Sequence, residues 1–337
     1  MRLPIEARAI VTGQVVTTSS VLTLRDVFPL GGEIWHTLRL VFTVTPTHTT
    51  ATNPIVLGVY NLIKNLKITT SKNETILSCP GLGMYYLNWM LKGVEPFHVP
   101  NTGTTATPYV AVIDIPFSHA LLARKEDIAL DSGRYTHIEL EITFGGADSF
   151  FGAASEGDAT LATTLDVTLF RNKSGFEKTG KPLALPYIKH IPPYALSRGY
   201  TDIESAEDLT LFGFNATVQD MAAQICHDPI VGLPYSGTVA DNMDDVTFRD
   251  NVIAYLNLLK MEFFQEERCN YAGVDQADLA RIVGQYPYVF IREGSIFNAY
   301  WTGQKSEIRL ENNTVALGTP TTPQIDVVIF GMREMRE

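Results

Sequence analysis

The chain is poor in cysteine and in charge, and it carries none of the short signatures that usually announce chemistry. Its three cysteines, Cys79, Cys226 and Cys269, are odd in number and widely spaced, with no Cys-x-x-Cys. That argues against a disulfide framework or a zinc ribbon and fits buried free thiols in a reducing compartment. Charged residues make up 19% of the sequence, against about 25% in an average soluble protein. A shortfall of this kind suggests that part of the surface is covered by other subunits. No run of five or six like charges occurs, and the net charge of −11 disfavours a direct coat on nucleic acid, which needs clustered Lys and Arg. Eighteen apolar residues never follow one another, so no helical membrane span is expected. The opening MRLPIEARAIVTGQVV mixes charges into its apolar residues, unlike a signal peptide. A soluble product made in a cytoplasm is the expectation.

The catalytic and metal patterns are missing as well. Histidines 36, 48, 98, 119, 137, 190 and 227 form no His-x-His, Glu-x-x-His or His-Glu-x-x-His. Gly-x-Ser-x-Gly, the Walker lysine loop and Gly-x-Gly-x-x-Gly are absent too. Cys226, His227 and Asp228 have the residue types of a nucleophile and its base, but neighbours on a strand point to opposite faces. The cluster Asp241, Asp244 and Asp245 lacks the twelve-residue calcium loop and reads as a solvated acidic turn ahead of a helix. Sequons at Asn73, Asn172, Asn215 and Asn312 carry little weight in a chain without a leader. Carboxylate pairs for glycoside hydrolysis meet in space rather than along a chain, and nothing singles one out. The expectation is no catalytic residue, no cofactor and no metal.

What is present is strand pattern, stated twice. Segments 34–44, 61–69, 108–117, 135–144 and 161–170 show alternation or β-branched and aromatic runs bounded by turn formers. Segments 208–218, 286–291, 306–315 and 324–330 repeat the style. Echoes run in one order through the two halves. Leu38 and Leu40 answer Leu209 and Leu211 at an offset of 171, and Tyr86-Leu87-Asn88 answers Tyr255-Leu256-Asn257 at 169. Pro108-Tyr109-Val110 answers Pro287-Tyr288-Val289 at 179, GRYTHIELE (133–141) answers GQKSEIRLE (303–311) at 170, and Asp166 answers Asp326 at 160. A repeat of this length is a whole domain.

The fold expected is therefore all-β with short helices in connecting loops: two tandem jelly-roll (β-sandwich) domains. The first spans 1–170 with an N-terminal arm, and the second spans 201–337. Between them 171–200 serves as linker and as the strand leading into the second copy, its Pro182, Pro186, Pro192 and Pro193 favouring an extended path. Helices are expected at 246–267, where Phe248, Val252, Tyr255, Leu256, Leu259 and Phe263 share a face, and at 275–284, between Asp275 and Gly284. In the first half the glycine-bracketed GMYYLNWMLKG reads as a shorter helix. Its aromatic face needs no ligand to explain it, since core packing suffices. Tyr86 and Tyr255 should occupy equivalent helical positions.

Two stretches carry a family likeness: LGVYNLIKNLKITTSKNETILSCPGLGMYYLNWMLKG (57–93) and VIDIPFSHALLARKEDIALDSGRYTHIELEITF (112–144). With the duplication, they make the chain resemble the double jelly-roll major capsid proteins of tailless, icosahedral, lipid-containing viruses, especially the small bacteriophage and archaeal-virus type. The resemblance implies a homotrimer forming a pseudo-hexameric tile, contacts with neighbouring trimers and with minor capsid or penton proteins, and location in the virion. It also implies an internal viral membrane, with Arg2, Arg8, Arg333 and Arg336 near the termini as candidates to meet lipid head groups. The alternatives are a tandem jelly-roll carbohydrate-active or amidase enzyme, or a trimeric phage spike or receptor-binding protein.

Overall fold

A computed structural model describes residues 5–49, 54, 57–97, 106–118, 128–151, 157–172, 184–195, 200–202, 209–220, 243–250, 253–259, 285–291, 300–301, 308–314 and 323–334. The chain divides into two compact units. Unit 1 comprises Met1–Asn88, Pro96–Lys189 and Glu334–Glu337, and unit 2 comprises Trp89–Glu95 and His190–Arg333.

Unit 1 is a sandwich of two antiparallel sheets. One has the order β1 (Ile5–Val16), β9 (Thr160–Asn172), β3 (Ile34–Thr47), β6 (Tyr109–Pro116), with the short β7 (Leu130–Asp131) also on β3. The other runs β5 (Thr75–Cys79), β4 (Ile63–Thr70), β8 (Ile138–Phe144), β2 (Val21–Leu24). Period-2 patterning decides which faces meet. On β3 the side chains of Leu38, Leu40, Phe42 and Val44 are buried, while Thr37, Arg39, Val41 and Thr43 between them are half-buried. Leu165, Val167 and Leu169 of β9, with Ile138, Leu140, Ile142 and Phe144 of β8, complete the core. Phe42 and Phe144 make an edge-to-face contact across the sandwich, their centroids 6.0 Å apart. At one end Trp35 sits between Phe28 and Phe117, at 5.6 and 5.8 Å.

Short helices fill the connections of unit 1. α1 (Gly58–Leu62) and α3 (Ala147–Phe151) pack so closely that a Cβ on Gly58 would lie 2.5 Å from the Phe150 carbonyl oxygen. α2 (Gly81–Lys92) is the expected glycine-bracketed helix. It ends at Gly93, whose left-handed φ of 64° lets its N–H reach the Trp89 carbonyl at 2.8 Å. Met84, Tyr85, Tyr86 and Leu87, which belong to unit 1, are buried with the polar Asn88, as are Trp89, Met90 and Leu91, which belong to unit 2.

Unit 2 repeats this wiring strand for strand. The order β10 (Ala184–Ala195), β18 (Pro323–Glu334), β12 (Leu209–Asp220), β15 (Gln285–Val289) reproduces β1-β9-β3-β6. The short β16 (Tyr300–Trp301) lies on β12 as β7 lies on β3. The second sheet, β14 (Ile253–Leu259), β13 (Met243–Asp250), β17 (Ile308–Thr314), β11 (Tyr200–Asp202), reproduces β5-β4-β8-β2. In both halves the short glutamate-bearing ladder agrees rung for rung. Lys67 pairs with Glu141 and Ser78, and Thr247 pairs with Glu311 and Asn257. The GRYTHIELE echo is thus a true structural equivalence, and Ser78 and Asn257 hold the same place.

The Tyr-Leu-Asn echo does not hold. Tyr86 lies in α2, whereas Tyr255 lies in β14, and the stretch expected as a helix from 246 contains the antiparallel pair β13–β14. The Asp250-Asn251 turn signal splits that stretch, and its Val, Phe, Ile and Tyr suit paired strands. Pairing with β17 overrides the helical spacing. Residues 260–267 and the expected helix 275–284 lie outside the described residues.

Leu40 is wholly buried at the centre of the first sheet. Leu40→Ala should lower unfolding free energy by about 2–5 kcal/mol in denaturant titration. An exposed control on the same strand, Thr47→Ala, should change it by less than about 0.5 kcal/mol.

Candidate functional site

Polar side chains in this fold are used first to hold edge strands in place. Arg171 of β9 is buried and donates from Nη2 to Glu6 of β1 at 2.7 Å, while Nη1 reaches Glu33 just before β3. One guanidinium thereby ties the start of β1 to the neighbouring connection. Next to it His36 and Asn172, both buried, share a hydrogen bond of 2.6 Å. Further along, the Asp166 carboxylate accepts the Gly13 N–H at 2.6 Å. Gly13 has φ of 64°, within an irregular stretch of β1 whose register against β9 shifts between Ala9 and Val11 and again between Val11 and Gln14. In unit 2 Asp326 of β18 meets the His190 ring of β10. The two echoed aspartates therefore do the same job on equivalent strands, although Asp166 stands opposite Val41 and Asp326 opposite Thr217.

Elsewhere opposite charges meet across strands. Arg39 binds Asp114 through two hydrogen bonds of 2.7 and 3.0 Å and lies 5.1 Å from the Phe170 ring centre. The Tyr135 phenol, held by the fully buried Glu74, has its pKa pushed well up, first by burial and then by the charge and hydrogen bond of that carboxylate. Sequence reasoning missed these pairs. Their members lie 75 and 61 residues apart, and only the sheet register brings them together.

Among the described residues the candidates singled out for chemistry do not converge. Cys226, His227, Asp228 and Asp241 lie outside the described residues. Asp244 and Asp245 lie within strand β13, not in a turn ahead of a helix, because the segment pairs with β14 and β17. His137 contacts Arg25, and His48 packs edge-on against Phe151. Among the described residues no three His, Cys, Asp or Glu side chains gather as a metal site. Nor is any described helix long and apolar enough to cross a membrane. Asn172 and Asn215 are buried. Arg333 is buried too, opposite Leu209 in β18, so it is not a lipid-facing terminal residue. Arg8 is exposed on β1.

The exposed features are edges and apolar side chains. β1 carries Ile5 and Val15 at 55% and 72% exposure, and Val16 is its only buried residue. Val21, Val27, Val94 and Phe97 are exposed as well. The Phe97 carbonyl accepts from the Tyr60 hydroxyl and from the Val112 N–H, each at 3.2 Å, so this backbone is fixed while its ring faces outward.

Two tandem sandwiches with one strand order define a double jelly-roll protein. In sequence the chain matches no family model and no curated protein. In structure it is similar over nearly its whole length to viral major capsid proteins, and it has their fold. The capsid protein of Sulfolobus turreted icosahedral virus aligns with a TM-score of 0.68 at 11% identity, covering 98% of this chain and 96% of that one. Protein P2 of bacteriophage PM2 gives 0.58 at 12%, covering 99% of both. The Faustovirus major capsid protein gives 0.59 at 8%, covering 99% and 91%.

Removing Arg171 strands two carboxylates. Arg171→Leu should cost about 3 kcal/mol in denaturant titration and raise hydrogen exchange throughout β1. The raised pKa of Tyr135 means the folded state holds its proton more tightly than the unfolded chain does. The associated stability is complete below the ordinary tyrosine pKa of about 10 and is lost as pH rises beyond it. Tyr135→Phe should flatten the alkaline limb of stability against pH.

Proposed function

We propose that this protein is a structural major capsid protein. Three copies associate into a pseudo-hexameric tile, and neighbouring tiles build an icosahedral virion shell, with minor capsid or penton proteins at its special positions. The observation that carries this reading is the whole-chain likeness to capsid proteins, which extends over at least 90% of each partner named above. A motif-sized similarity would carry far less. The physical logic agrees with it. Two similar lobes per chain make six per trimer, so one gene product packs with hexagonal symmetry. The low charged fraction, 19%, suits a surface buried against other copies. A net charge of −11 suits a shell that does not itself bind the genome.

The domain plan that goes with this is a first jelly roll over 1–170, a linker and leading strand over 171–200, and a second jelly roll over 201–337. Synthesis in the host cytoplasm and an internal membrane beneath the shell belong to the same reading, with exposed Arg8 as a candidate lipid contact. An enzyme of tandem jelly rolls or a spike is the competing reading, and copy number separates them. A capsid protein is the dominant band of purified particles.

Light scattering at micromolar concentration should give three times the 37.3 kDa chain mass. Interfaces within the trimer should bury roughly 2,000 Å² or more. A protein that stays monomeric and is a minor component of every particle overturns the reading.

A further inference from the structure

The duplication leaves each chain with two strand edges that match each other. β10 joins the units, and its first half pairs in parallel with β5 within unit 1, Ile188 opposite Leu77 and Lys189 opposite Ser78. β10 is the first strand of the second jelly roll, and its counterpart in the first is β1. β5 is the outer strand of a four-stranded run, and its counterpart in unit 2 is β14. The equivalence of β5 and β14 is fixed by register. Leu77 and Leu256 both pair with the strand position next to the shared glutamate rung, and Ser78 and Asn257 hold that rung.

Neither counterpart is used in the same way. Among the described residues β1 pairs only with β9, and β14 only with β13. β1 is no ordinary free edge. It is twelve residues long and largely apolar, with Glu6 and Arg8 as its only charges, and seven of its residues are exposed and four half-buried. An edge of that length and composition invites pairing with another chain.

We propose that the outer edge of β1 pairs in parallel with β14 of a second copy of this chain, repeating between molecules the contact that β10 makes with β5 within one. This rests on the self-association reading and specifies its interface. The two edges are unlike, so the contact runs head to tail, each copy giving β1 to one neighbour and β14 to the other. Such a contact closes only as a ring. The contact runs along the middle of β1, where Ala9 is exposed, and along β14 (Ile253–Leu259) of the neighbouring copy.

A photo-reactive benzoylphenylalanine at the exposed Ala9 tests the contact in the full-length protein. Irradiation of the assembled form should yield cross-linked dimers whose peptides map to residues 253–259. Ala9→Glu should weaken self-association at least tenfold while leaving the thermal melt of the diluted chain unchanged. Assembly that proceeds with cross-links mapping elsewhere, or with Ala9→Glu associating as the parent does, overturns this contact and leaves the capsid reading standing. A parent chain that remains monomeric in light scattering overturns the capsid reading, and the contact with it.

Discussion

A β-strand satisfies its backbone on two sides, and a sheet always runs out of strands. In this chain that constraint organises more of the molecule than any single side-chain contact does. The core of the first sandwich is simple, with alternate residues on β3, β8 and β9 turned inward to meet across it. What takes particular chemistry is the termination of the sheets. The Phe97 carbonyl takes up the N–H of Val112 on β6. Arg171 and Asp166 hold β1 against β9, and Asp326 holds β10 through His190.

The duplication was legible because it is written in residues that a sheet cannot easily replace. Alternating Ile and Leu at 138–140 and 308–310, each followed by a glutamate (Glu141 and Glu311), keep face and register together, and a one-residue slip would turn every side chain over. The Tyr-Leu-Asn echo had no such protection. A run such as YLNLLK has apolar residues at spacings that serve either a buried helix or a strand, and short apolar runs do not carry their own period. In α2 the flanking Gly81 and Gly93 settle it as a helix. In β14 the antiparallel partner β13 settles it as a strand, and that partner is invisible in a local reading.

The polar pairs were illegible for a related reason. Arg39 and Asp114, or Arg171 and Glu6, meet only once the strand order is known, and a sequence does not print strand order. Two clues were nevertheless present. Asp166 and Asp326 were visible as an echo before their shared task of anchoring the edge strand was known. The odd, scattered cysteines pointed to buried thiols, and Cys79 is buried. Charge density, read across the whole chain, pointed the same way as the exposed edges do.

Two of the sequons end in places that no glycan fits. Asn172 is locked to His36 at the end of β9, and Asn215 lies inside β12 between β15 and β18. A sugar added to either asparagine during translocation would occupy space that the sandwich needs and would remove an amide its neighbours use. The folded chain is therefore incompatible with an oligosaccharyltransferase acting ahead of folding. A eukaryotic secretory route would turn these two asparagines from silent interior residues into folding blocks, and the chain would emerge from it only if folding outran the enzyme.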